Sequence, residues 1–211
     1  MTAVPSPLRQ AWQTLLDQPL AFVNTRHLHE CWSQPLTAQQ HAALYTMPRF
    51  QERLLQQLMG HFRLPALALV PPPDEQDLAV LLLSPEAFKR LPRLCGAIWH
   101  AQTLSREIRS DRVNLLRDAL GSEVFALALA HRMLAGAADL LREPAELLEA
   151  IDHDGARCVT AWLQRQPAGL RDWLRLRLEL TQVDDSPSTA DPNIVRRAAA
   201  AFGPPDGEVA G

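Results

Sequence analysis

The sequence predicts an all-α fold: a compact multi-helix domain with a short irregular N-terminal segment and a flexible C-terminal tail. Three observations lead there. Apolar residues make up 47% of the 211 positions, and leucine and alanine, good helix formers, dominate that set. β-Branched and aromatic residues, which strands favour, are few. Apolar side chains also recur at three- and four-residue steps along most of the chain, as one face of a helix requires. At this length a sizeable core can be buried.

The elements follow in order. Pro7 opens a short helix in which Leu8, Trp12, Leu15 and Leu16 share a face, and Pro19 stops it. From Phe22 to Trp32 no period is sustained. A helix follows Thr37, and another runs from Pro48 to about His61, with Phe50, Leu54, Leu55, Leu58 and Phe62 on its apolar side. Ala66 to Pro73 reads as an extended, proline-terminated loop bracing two subdomains. Ser84 caps a helix with Pro85 at its first position. Pro92 is expected to restart the chain as a second helix, whose stripe is Leu94, Ile98, Ala101, Leu104 and Ile108. Ser110 is expected to cap a third helix carrying Val113, Leu116 and Leu120, and Gly121 supplies a turn that ends it.

Ser122 to Ala135 is apolar on most sides and is expected to be the most buried element, with Phe125, Leu127 and Leu129 inside. Pro144 starts a further helix, Gly155 to Gln166 another, and Leu170 to Leu180 a third along an arginine-rich surface. From Gln182 the composition turns to Asp, Ser, Pro and Thr, as in a linker, and the chain ends in a helical turn or two and a tail. The expected domains are therefore 1–73, 74–181 and a 182–211 linker and flexible tail.

Composition excludes several functions. A net charge of −3 gives no global attraction to nucleic acid or anionic lipid. Lys89 is the single lysine among 21 basic residues, which reads as genome base composition. Cys31, Cys95 and Cys158 are odd in number and far apart, which fits reduced thiols in a cytosolic protein. The first residues lack the pattern of a signal peptide, and the longest apolar runs fall short of the roughly 20 residues a bilayer span needs.

Four constellations could carry chemistry. His27, His29 and Cys31 would share one side of an extended segment and suit zinc, but a closed site wants a fourth ligand, and packing roles are favoured. Asp152, His153 and Asp154 resemble a carboxylate-oriented base, yet they stand where a helix cap is wanted, and capping is preferred. Arg106, Arg109, Arg112 and Arg117 gather at a helical junction as a DNA-reading face would, but Glu107, Asp111 and Asp118 interleave with them. The five tryptophans fit core or interface anchors. Hydrolase, metalloprotease, nucleotide- and dinucleotide-binding patterns are absent from the sequence, so no catalytic, cofactor-binding or metal residue is assigned and no enzyme is expected.

A family likeness enters at Phe22-Val23-Asn24-Thr25-Arg26-His27-Leu28-His29, which fits a pattern F-x-P-x-x-Y-[LI]-H at Phe22, Leu28 and His29 and departs from it at Asn24 and His27. With Leu81-Leu82, the Leu94 to Trp99 helix containing Gly96, the LSREI segment and VNLLRDALG ending at Gly121, this stretch resembles the SctK (YscK/PscK) accessory proteins of bacterial type III secretion systems. The likeness spans roughly Phe22 to Ala135. It implies a non-enzymatic cytoplasmic adaptor required for secretion. Such an adaptor links the inner-membrane ring protein SctD to the pod protein SctQ, leads on to SctL and SctN, and meets the membrane only through a partner. It also implies that His29 fixes the N-terminal segment through a hydrogen bond. Two sets of side chains, expected to be exposed, are the candidate partner-binding anchors: Arg106, Arg109 and Arg112, and Arg171, Trp173, Arg175 and Arg177. The other readings are a helical DNA-binding regulator and a secretion chaperone.

Overall fold

The structure, a computed structural model, describes residues 6–31, 47–138, 140, 142–177 and 190–203, apart from the side chains of Thr25, His29, Pro48 and Arg49. The helix expected after Thr37, Trp32, the 182–189 linker and the last eight residues lie outside these, as does the His29 side chain. Among the described residues the fold is all-α, with no strand. The chain divides into two compact units, one formed by Met1–Glu75 with Gln166–Thr181 and the other by Gln76–Arg165 with Gln182–Gly211. The helix near Trp173, grouped with the central domain in the sequence reading, falls in the N-terminal unit.

In the first unit, α1 (Pro7–Asp17) starts as the sequence predicts, with Pro7 at its first position and Ser6 Oγ accepting the Arg9 N–H. Trp12 is its buried anchor and meets the edge of Phe22, which lies in a short 3-10 turn, Pro19–Phe22. The segment without a sustained period forms α2 (Thr25–Glu30), and it buries Leu28 completely. α3 (Pro48–Phe62) buries Leu54 and Leu58, and Arg63 then ends it in a left-handed conformation at φ 54°. The extended stretch after it carries a 3-10 turn, Leu67–Leu69. α10 (Ala168–Arg177) is the unit's C-terminal piece. Its Leu176 carbonyl accepts the Asn24 N–H at 2.9 Å, and its Trp173 indole donates to the Pro65 carbonyl at 2.8 Å.

In the second unit, α4 (Glu75–Leu81) precedes α5 (Pro85–Trp99), which Ser84 caps as expected. α5 does not stop at Pro92. A proline ring removes one intrahelical hydrogen bond, but its φ is already helical, and Leu91, Leu94, Cys95 and Ile98 all gain a buried position by continuing. The same override acts on α9 (Pro144–Gln164), one 21-residue helix where the sequence suggested two. Gly155 sits inside it because α5 and α9 cross at close range. A Cβ on Gly155 would lie 2.9 Å from the Gly96 backbone nitrogen and closer still to the Pro92 carbonyl.

Between these two helices run α6 (Ala101–Arg106), α7 (Ser110–Leu120) and α8 (Ser122–Ala130). Ser110 and Ser122 are first residues of their helices and make no cap bond. Gly121 separates α7 from α8 with φ 89°, a conformation that disfavours any side chain. α8 is shorter than expected, since a 3-10 turn, Arg132–Leu134, follows it. It is also less central: Phe125 is buried, but Leu127 and Leu129 are only half-buried. The heart of the unit is the α5–α9 pair. α11 (Pro192–Ala200), expected as a turn or two on a flexible tail, is a nine-residue helix capped by Asp191 that buries Ile194, Val195, Ala198 and Ala199.

Candidate interaction surfaces

The three arginines of the central junction stand where α6 gives way to α7. Backbone turns away from helix at Glu107, so Ile108 leaves the apolar stripe that the sequence assigned it and stands 89% exposed. Glu107 and Arg109 pair as a fork: Arg109 Nε donates to Glu107 Oε1 at 2.8 Å and a terminal N–H donates to Oε2 at 2.7 Å. The Arg109 backbone N–H adds a third bond to Oε1 at 3.1 Å. These donors pull the Glu107 carboxyl down to about 2. Arg112 reaches across to Glu143 Oε1 at 2.7 Å. A groove of about 360 Å³ opens beside the junction, with Arg106, Ile108, Arg109, Leu140 and Arg142 among its walls. A second, of about 400 Å³, shares Glu107 in its wall, with Arg117, Phe125, Leu129 and Arg132 around it.

The second candidate set, in the first unit, is largely interior. Trp173 is fully buried and Arg177 is 8% exposed, contrary to the expectation that both would be surface anchors. Leu170, Trp173, Leu174 and Arg177 fall at helical spacing on one face, and that face is the packed one. Arg177 lies over the Phe22 ring at 4.7 Å, a cation–π contact, and burial lowers its pKa to about 10. Phe22 is itself 1% exposed. Arg175 stays at the surface and lies 3.8 Å from Asp172, while Arg171 is half-buried.

The zinc reading required an extended segment, and the structure makes it a helix. The side-chain alternation of an extended strand does not apply there. Cys31 Sγ instead donates to the His27 carbonyl, and the His27 ring lies edge-on to Phe62. Asp152, His153 and Asp154 cap nothing, because α9 runs straight through them. Asp152 lies 3.7 Å from Arg93, and Asp154 holds His100 Nε2 at 2.9 Å. No sequence signal pairs His100 with Asp154, 54 positions apart; the α5–α9 crossing does.

That buried pair has a pH consequence. Burial drives the His100 pKa down, and the Asp154 carboxylate only partly opposes it. A depressed folded value means the unfolded chain binds a proton first as pH falls. The stabilisation is therefore complete above about pH 6.5, the unfolded histidine value, and shrinks as pH falls toward the folded value. Urea midpoints should fall between about pH 7 and 5 in wild type and flatten in His100→Gln. Equal slopes in both proteins would remove His100 as the cause.

Among the described residues no helix is long and apolar enough to cross a membrane. No protein-family description matches the chain, and no solved structure does. Two curated relatives do: the nodulation protein NolU of Rhizobium fredii and that of Sinorhizobium fredii (strain NBRC 101917 / NGR234), each 33% identical over 100 residues. The aligned stretch is 47% of this chain and 47% of each relative, so the chain spans about half the length of the curated relatives it matches.

Proposed function

We propose that this protein is a type III secretion-related protein acting as a non-enzymatic cytoplasmic adaptor. In this reading it links an SctD-type ring protein to an SctQ-type pod protein, and through it SctL and SctN. The observation that carries the broader part is the 100-residue similarity to the nodulation protein NolU. The finer part rests on the resemblance of roughly Phe22 to Ala135 to the SctK proteins. The geometry supports binding over chemistry: the junction arginines sit beside grooves with apolar walls, and Arg109 and Arg112 are already matched by Glu107 and Glu143. A DNA-reading face would present them uncompensated.

Pull-downs with SctD-type and SctQ-type proteins test the reading. The Arg109→Glu, Arg112→Glu pair should weaken one partner, and Arg175→Glu the other, with helicity unchanged. Wild-type protein that captures neither partner, or that shifts duplex DNA in a gel at physiological salt, would overturn the adaptor reading.

A further inference from the structure

We propose that the two grooves flanking Glu107 form one docking surface for an acidic amphipathic segment of a protein partner. Charge is the first observation. Among the described residues Arg106, Arg109 and Arg142 line the first groove and Arg117 and Arg132 the second, and Glu107, shared by both, is the one carboxylate in their walls. This concentration of positive charge belongs to a chain whose net charge is −3. Among the described residues Arg117, Arg132 and Arg142 have no carboxylate within ion-pair distance, and the Arg117 guanidinium lies over the Phe125 ring. The Arg109–Glu107 fork shows the geometry in which a guanidinium here takes a carboxylate.

Apolar surface is the second observation, and it selects the class of partner. Ile108 is 89% exposed and Leu140 52% exposed at the first groove, and Phe125 and Leu129 line the second. Nucleic acid would satisfy the arginines and leave these side chains in water. A peptide bearing leucines on one helical face and glutamates beside them satisfies both. This proposal deepens the adaptor reading and rests on it for the source of the segment, whereas the groove chemistry stands on the side chains alone.

Fluorescence anisotropy tests it with three labelled probes: a synthetic helix of alternating leucine and glutamate faces, a polyglutamate of the same charge, and a duplex DNA. The leucine–glutamate helix should bind most tightly. Ile108→Ser and the Arg132→Glu, Arg142→Glu pair should each weaken it about tenfold, with circular dichroism unchanged. Ile108 is so exposed that its variant tests the groove even if the arginine pair fails to fold. No binding by the helix up to on the order of 1 mM, or equal binding by polyglutamate or DNA, would overturn the proposal. The same variants in the pull-downs separate the two ideas. Helix binding lost in the variants, with wild-type protein capturing neither partner, sinks the adaptor reading alone. Partner capture by protein that ignores the helix sinks the groove alone.

Discussion

Gly155→Ala should destabilise the protein by more than about 3 kcal/mol, or prevent folding, although alanine is the better helix former by about 1 kcal/mol. The reason is backbone meeting backbone. A Cβ at 155 would sit 2.7 Å from the Pro92 carbonyl carbon and closer to its oxygen, and no side-chain rotamer can relieve that. The crossing is reciprocal, because a Cβ at Gly96 would strike the Ile151 carbonyl. Relief requires α5 and α9 to separate, and that would open a gap along Leu91, Ile98, Ile151 and Val159, all essentially buried. Gly60→Ala is the matched control. Gly60 lies in α3 with nothing within 4 Å of its Cβ position, so the same substitution should be neutral or stabilise by up to about 1 kcal/mol. Urea denaturation of both variants gives the comparison. A Gly155→Ala protein as stable as wild type would mean the two helices do not meet there.

Why the sequence pointed to α8 and away from this crossing has a physical answer. Periodicity and mean apolarity report how much surface an element would bury, and α8, SEVFALALA, is strongly apolar on most sides with little one-faced periodicity. They do not report how closely two backbones approach. Pro92 and Gly155 read as helix breakers by local preference, and they are interior residues of the two central helices because tertiary packing outweighs that preference. Other features were legible. Pro7, Pro48, Pro85 and Pro144 mark helix starts correctly, and Ser84 caps as its position suggests.

The arginine sets divide along the same line. Residue type alone marks Trp173 and Arg177 as surface anchors, but their spacing with Leu170 and Leu174 places them on the inward stripe. At the central junction the charges were legible and their pairing was not. Glu107 lies two residues from Arg109, and only the bend between α6 and α7 folds the two side chains into a fork. Leu140 and Arg142 reach the same groove from a segment more than thirty residues away, through the return of the chain to α9.

Asp77→Ala should cost about 3 kcal/mol and release α11 from the second unit. Asp77 is 4% exposed, and its Oδ1 accepts the Trp162 indole N–H at 2.9 Å and Arg196 Nε at 2.7 Å. Its Oδ2 accepts a second guanidinium N–H at 3.0 Å, and Gln76 takes another at 2.7 Å. One carboxylate thus ties α4 to the core of α9 and to α11, across 85 and 119 positions of sequence that carry no trace of the link. Removing it takes away the carboxylate that the buried indole N–H and two guanidinium N–H groups share. Breaking a buried pair costs about 3–5 kcal/mol, and the low end applies because the Arg196 side chain is 22% exposed and water can reach it. Asp77→Asn keeps one acceptor for the indole and loses the charge, so its cost should be smaller, about 1–3 kcal/mol. The order alanine, then asparagine, then wild type in urea midpoint is the expected result. Limited proteolysis should cut between residues 190 and 203 sooner in the alanine variant, since α11 would lose the carboxylate tie and keep the Arg196–Gln76 bond with the buried Ile194, Val195 and Ala198. An alanine variant within about 1 kcal/mol of wild type, cut no faster, would mean that the remaining contacts hold the helix in place without the carboxylate.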